Sequence, residues 1–140
     1  MLTEQRKQKV LFICNQNSGR SQMAEALLRM LYGDHYEVSS AGVVPSEVNP
    51  YTVKTMEQLG VDMSAHYAKS INDFKNVEFD YVVTVCDKAK EACPFSPGKQ
   101  VIHRSFSSAS TEGTEEEILA SFGRVRDEIK AWLETFFNPS

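Results

Sequence analysis

Three absences narrow this 140-residue sequence before any motif is considered. No apolar run approaches the roughly 20 residues that a membrane-spanning helix needs. The opening stretch, MLTEQRKQ, is polar and is followed by no apolar segment of the signal-peptide kind, so a cytoplasmic protein with no membrane association is expected. Positive charge is not in surplus either: 15 Lys and Arg against 19 Asp and Glu leave a net charge of -4. A nucleic-acid partner, which would need a cationic field, is therefore not expected, although one small anion in a locally positive pocket remains compatible. Cysteine is scarce, with three residues. An odd count suits free or redox-active thiols in a reducing compartment better than a disulfide framework. His66 and His103 lack the Cys or carboxylate spacing of a metal site, so neither a metal nor a bound cofactor is expected, and both read as core or turn histidines. There is no repeat, low-complexity tract or linker. With 41% hydrophobic and 24% charged residues, the composition fits one globular domain, 1–140, with an ordered core at about 9–137, expected to be a monomer.

What is present alternates between strand and helix patterns. Lys9 to Cys14 is a short apolar run of the kind found in a strand buried on both faces. From Ser21 the stripe Met23, Ala24, Leu27, Leu28 and Leu31 predicts a helix closing near Gly33. Tyr36 to Ser40 reads as a second strand stopped by Ala41-Gly42. Asn49-Pro50 is an N-cap followed by proline at the first helical position, with Val53, Met56 and Leu59 at helical spacing and Gly60 as the stop. Phe79 to Val85 and, more briefly, Lys99 to His103 complete the strands. In the last helix Thr114 and Glu117 form a capping box. Ile118, Phe122, Val125, Ile129, Leu133 and Phe136 mark its buried face, and Trp132 and the phenylalanines read as core. This order predicts an α/β fold: a parallel sheet with helices on both faces, whose ligands bind outside the carboxyl ends of the strands. Cys14 and Cys86 both fall at that edge.

The chemistry concentrates in Cys14-Asn15-Gln16-Asn17-Ser18-Gly19-Arg20-Ser21, between a buried strand and a helix. A tight turn at a helix N-terminus aims several backbone N–H groups at one point, where the helix dipole favours negative charge. Asn17 and Gly19 tolerate the left-handed conformations such a turn needs. Arg20 adds a planar fork for two oxygens of a tetrahedral anion. Thiols in such a field react as thiolates, which makes Cys14 the candidate nucleophile, with Ser21 a candidate donor to its sulfur. A cysteine ending a strand and a surface arginine would share this spacing by chance, but the strand–loop–helix context favours chemistry. The Gly-Lys-Ser/Thr ending of a nucleotide loop is absent.

Cys-x5-Arg-Ser after the first strand, followed by Gln22-Met23-Ala24-Glu25, resembles the low-molecular-weight tyrosine phosphatase superfamily, and within it the thiol-dependent arsenate reductases. Further matches are Ser40-Ala41-Gly42, Asn49-Pro50, Val83-Thr84-Val85-Cys86, Cys93-Pro94 and Arg124 to Ile129. The resemblance implies a three-layer sandwich with a four-stranded parallel sheet. It also implies that Cys14 attacks arsenate and that Cys86 attacks Cys14 with release of arsenite. Cys93 then moves the disulfide to Cys86–Cys93, which thioredoxin, the external reductant, reopens. The six residues between Cys86 and Cys93 favour a helix. Seven residues of helix rise about 10.5 Å, whereas a disulfide needs Cα atoms about 4.4–6.8 Å apart. A redox-switched segment at 86–93 is therefore expected.

Departures from the resembled pattern matter as much. The family carries an Asp-Pro whose acid protonates the leaving oxygen; Ser108 and Ala109 stand there, and Glu112 nearby has nothing to position it. Some arsenate reductases of this type bind potassium beside the loop through an acidic residue aligned with Lys69. Here the Lys69 ammonium would pair with Glu25 in the cation's place, with Asn17 and Ser40 matching the remaining side chains. Gly19 replaces what is often another cysteine. Three functions fit these residues: arsenate reduction, hydrolysis of phosphotyrosine or small phosphate esters, and oxyanion binding or redox sensing with little turnover.

Overall fold

The computed structural model describes residues 7–85 and 98–139. Four strands, β1 (Gln8–Cys14), β2 (Tyr36–Gly42), β3 (Phe79–Thr84) and β4 (Gly98–His103), form one parallel sheet in the order β2-β1-β3-β4. Helices α1 (Arg20–Tyr32), α2 (Pro50–Glu57) and α3 (Glu115–Phe136) complete the expected α/β sandwich. Val10, Leu11, Phe12 and Ile13 are each 0% exposed, so both faces of the central strand are covered. At about 1.5–3 kcal/mol for each fully buried large aliphatic or aromatic side chain, β1 is the element that holds the sheet together. Among the described residues no helix is long and apolar enough to cross a membrane.

Topology places the site. From β1 the chain passes through α1 to β2 on one side and returns to β3 on the other. The carboxyl ends of β1 and β3 therefore border a switch point, where the connections diverge and leave a crevice. Cys14 ends β1 there, and Val85 N–H donates to Ile13 O at 2.9 Å, binding the end of β3 to the same spot. Cys86 and Cys93 lie outside the described residues, as does the expected redox switch at 86–93.

Several boundaries differ from the sequence expectation for physical reasons. Ala41 and Gly42 continue β2, paired with Ile13 and Cys14, instead of stopping it. A Cβ on Gly42 would lie 2.7 Å from Asn17 N, 2.8 Å from Gln16 C and 2.9 Å from Asn15 O, so this glycine admits the loop rather than breaking the strand. A 3-10 turn at Ile71–Phe74, capped by Ser70 and Asp73, is too short to leave a helical periodicity. Gly60 ends the α2 region with φ +77°. Arg126 of α3 braces α2 through Thr55 O and Gln58 Oε1, both at 2.9 Å.

One core assignment is corrected. Phe136 is 42% exposed, and Phe137, one residue beyond α3, is the buried ring at 1%. After Leu133 both positions fall near the buried stripe. Phe137 wins because Tyr36 and Tyr81 flank it edge-on at 5.3 and 5.4 Å. The Tyr36 hydroxyl also donates to its carbonyl at 2.9 Å; burial, then Tyr81, pushes that phenol's pKa up and keeps it a donor. Phe137→Ala is expected to cost about 3–5 kcal/mol in urea denaturation, as large aromatic truncations in cores do. Phe136→Ala should cost far less.

Candidate active site

The loop between β1 and α1 is held open by what its carbonyls do. Val43 N–H donates to Cys14 O at 3.1 Å, Val44 to Asn15 O at 2.7 Å, Ser46 to Gln16 O and Asn49 to Ser18 O, both at 3.0 Å. Gln22 Nε2 takes Asn17 O at 3.1 Å, and Met23 N–H takes Gly19 O at 2.9 Å. Six consecutive carbonyls are thus engaged outside the loop. In a trans peptide plane the following N–H points the opposite way, so the amides of residues 15 to 20 turn toward the inside. Asn17 N–H accordingly meets Cys14 Sγ at 3.3 Å. Gly19, the residue before helix α1, offers no side-chain cap, which leaves the helix's first turn for an anion.

Asn17 carries the geometry. It is fully buried and adopts φ 53°, a left-handed conformation that asparagine tolerates. Its Oδ1 accepts from the Lys69 backbone N–H at 2.8 Å, and a backbone amide can only donate. The other atom is therefore the amide nitrogen, which donates to Ser21 Oγ at 2.8 Å and Ser40 Oγ at 2.9 Å. Each serine, having accepted, turns its own proton onward. Ser40 donates to Glu25 Oε1, and Ser21 faces Cys14 Sγ at 2.9 Å. Asn17 N–H therefore donates to a sulfur that is 4% exposed and that Ser21 Oγ also contacts; with the sulfur as a thiolate, which can only accept, the Ser21 hydroxyl becomes its second donor.

Above the sulfur lies a cleft of about 450 Å³, floored by the loop from Cys14 to Arg20 without the buried Asn17. Arg20 NH1 donates to Phe106 O at 2.7 Å, so the segment after β4 holds the guanidinium at the rim. Ser108 lines this cleft, with Thr111 beside it; Glu112, exposed, is not among the lining residues. The sequence reading missed three contributors. Asn49 was legible as the α2 cap, and its Oδ1 does accept from Tyr51 N–H at 2.8 Å, but it also lines the cleft. Gly42 reads in the sequence as a strand stop, yet the loop packs against it. Gln22, fully buried, bridges Asn17 and Tyr67 O, and only its place one residue beyond Ser21 hinted at that role.

Behind the loop, Glu25 is 6% exposed and receives Arg29 NH2 at 2.7 Å, with Lys69 Nζ at 3.7 Å. Burial holds the Lys69 pKa below its ordinary value, offset in part by Glu25. His66 Nδ1 lies 2.9 Å from Gln22 Oε1, whose own Nε2 faces carbonyl oxygens; the contact therefore requires a proton on Nδ1. Burial lowers the His66 pKa, against the pull of Glu25. A depressed basic pKa means that the unfolded chain binds the extra proton more readily. His66 thus contributes stability that is present above the ordinary value of 6.5 and lost as pH falls through the lower folded value. His66→Asn, which can still donate to Gln22, should flatten the fall of the urea midpoint between neutral pH and mild acid; an unchanged slope would assign that fall elsewhere.

Known proteins share this fold. Residues 9–138 match the low molecular weight phosphotyrosine protein phosphatase family. An arsenate reductase of Halalkalibacterium halodurans is 42% identical over 132 residues, covering 93% of this chain and 95% of its own. A solved arsenate reductase in a phosphate-binding state superposes with a TM-score of 0.72 at 28% identity, covering 91% of this chain and 94% of that one. The thioredoxin-dependent arsenate reductase of Corynebacterium glutamicum aligns with a TM-score of 0.63 at 35% identity, over 89% of this chain and 61% of that one. A cysteine at the end of a buried strand, an arginine six residues on and a loop with its carbonyls turned outward are thus placed on a shared fold, and the chain belongs to the low molecular weight phosphotyrosine protein phosphatase family, together with the arsenate reductases it resembles.

Proposed function

We propose that this protein reduces arsenate to arsenite through Cys14, Cys86 and Cys93, with thioredoxin as the external reductant and no bound cofactor. The observation that carries the reading is the loop: amides 15 to 20 turn inward around a sulfur that receives Asn17 N–H and faces Ser21 O–H. Arg20 stands at the rim to grip two oxygens of the anion. The names of the relatives add arsenate as the oxyanion, and one of them is described as thioredoxin-dependent.

In this scheme the Cys14 thiolate forms a sulfur–arsenic bond as one oxygen leaves as water. The Cys86 thiolate then attacks Cys14 sulfur. The sulfur–arsenic bond breaks, its electron pair passes to arsenic, and arsenite departs while a Cys14–Cys86 disulfide forms. Cys93 attacks Cys86, freeing Cys14 and leaving Cys86–Cys93 for the dithiol reductant. Placement at the sheet edge supports the second step: Val85, which precedes Cys86, is hydrogen-bonded to Ile13, which precedes Cys14. Lys69 beside Glu25 takes the role of a loop-supporting cation. Three thiols working in a dithiol cycle suit a reducing cytoplasm, and a monomer leaves the cleft open to its reductant.

Phosphate-ester hydrolysis is the second reading, favoured by the same intact loop and needing Cys14 and Arg20 alone. A thioredoxin-coupled assay of NADPH oxidation with arsenate separates the two. Cys14→Ser, Cys86→Ser and Cys93→Ser should each fall to background, and the wild-type rate should not respond to potassium. Full activity in the Cys86 and Cys93 variants would contradict the cascade.

A further inference from the structure

Among its described lining residues, the cleft over Cys14 has a cation and no acid. Beyond the loop its described walls are Met23, Asn49, Ser108, Ala109, Thr111 and Phe122. None of the described lining residues, whether from the loop, α1, the start of α2, the segment after β4 or α3, is Asp, Glu, His, Lys or Tyr. Among the described lining residues the charged or titratable groups are Cys14 and Arg20. Glu25 connects to the sulfur only through Ser40, Asn17 and Ser21, behind the loop. The hydroxyls of Ser108 and Thr111 can pass a proton along but cannot hold one in reserve near neutral pH. Yet the oxygen that leaves must acquire a proton.

We propose that this proton comes from the substrate itself. The site is then specific for oxyacids that arrive with a transferable proton, namely dihydrogen arsenate and the monoanions of phosphate esters. The proposal rests on the reading of Cys14 as the nucleophile toward arsenate and deepens it. For dihydrogen arsenate, the Cys14 thiolate forms the sulfur–arsenic bond and one As–OH bond breaks. The second As–OH gives its proton to the departing hydroxyl, so one water leaves and a doubly negative S-arsenate remains on Cys14. Arsenic stays pentavalent in this step, and atoms and charge balance with no proton from the chain. Hydrogen arsenate dianion would have to expel hydroxide, and an ester dianion would have to expel an unprotonated alkoxide or phenoxide.

Two measurements on the reduced full-length chain test this. The first is single-turnover arsenite formation against pH, normalised to the Cys14 thiolate fraction from the pH dependence of its alkylation. It should follow the dihydrogen form, falling about tenfold per pH unit once the dianion dominates. The second compares phenyl phosphate with p-nitrophenyl phosphate, whose leaving group needs no acid, at a pH where both esters are dianions and carry no transferable proton. Wild type should turn over the phenyl ester about 10²-fold more slowly or worse, and Ser108→Asp, at an exposed position, should recover most of that gap, since a positioned acid is worth about 10²–10⁴. An arsenate rate indifferent to substrate ionisation, equal turnover of the two esters, or no gain from Ser108→Asp overturns the proposal and leaves the reductase reading standing. If no arsenite forms while the ester gap is present among the dianions and closes as the monoanions form, the reductase reading fails and the proton assignment stands. No reaction with any of these substrates overturns both.

Discussion

The carboxamide of Asn17 lies fully buried where the loop backbone turns through φ 53°, and its two ends hold different parts of the molecule. Its oxygen is pinned by the Lys69 backbone amide, and Lys69 O in turn accepts from Gly42 N–H at 2.7 Å, so this contact locks the loop to the end of β2. Its nitrogen sets the direction of two serine hydroxyls, one toward Glu25 and one toward the sulfur. Leaving any of these buried groups without a partner would cost about 1–3 kcal/mol. The shape of the anion cradle and the donor on the nucleophile therefore depend on one side chain. The outward carbonyls complete the arrangement: the stretch from Val43 to Asn49 ties the loop from outside while Asn17 ties it from within.

Much of this was legible in the sequence, for identifiable reasons. Val10 to Ile13 form an uninterrupted apolar run because β1 is covered on both faces, and the Thr114–Glu117 capping box announces α3 to the residue. The loop was legible because nucleophile, left-handed Asn17 and arginine lie within one short segment; Gly19, expected to share that conformation, instead adopts φ -130° as the residue before α1. What escaped the reading depends on contacts across the fold. Gly42 resembles a strand stop until the loop is seen to pack where its Cβ would be. Phe136 and Phe137 both satisfy the helical period, and only the Tyr36 and Tyr81 rings decide between them. Gln22 reads as an ordinary helix residue, yet it ties Asn17 to Tyr67 O, 45 positions further along the chain than Gln22 itself.

Function follows from what the cleft supplies and what it lacks. It provides inward amides, a guanidinium and a hydrogen-bonded sulfur, the parts that the proposed attack on a tetrahedral oxyanion would use. Among its described residues it provides no carboxylic acid, which disfavours esters with poor leaving groups and suits an acid that departs as water. The second and third thiols turn the adduct toward electron transfer in the proposed scheme. Charge behind the loop is balanced separately: Glu25 is shared between Ser40, Arg29 and Lys69, so the acidic end of the network is satisfied within the fold.

The central claim is that the amides of residues 15 to 20 converge on one anion because their preceding carbonyls are held outward. Titration of inorganic phosphate into reduced, ¹⁵N-labelled protein tests it most directly. The account predicts that these six amide resonances shift together with a single dissociation constant. Those of Val43, Val44, Ser46 and Asn49, which grip the carbonyls, should remain nearly still. Phosphate-dependent shifts centred anywhere else, or amides 15 to 20 that respond with unrelated affinities, would contradict it.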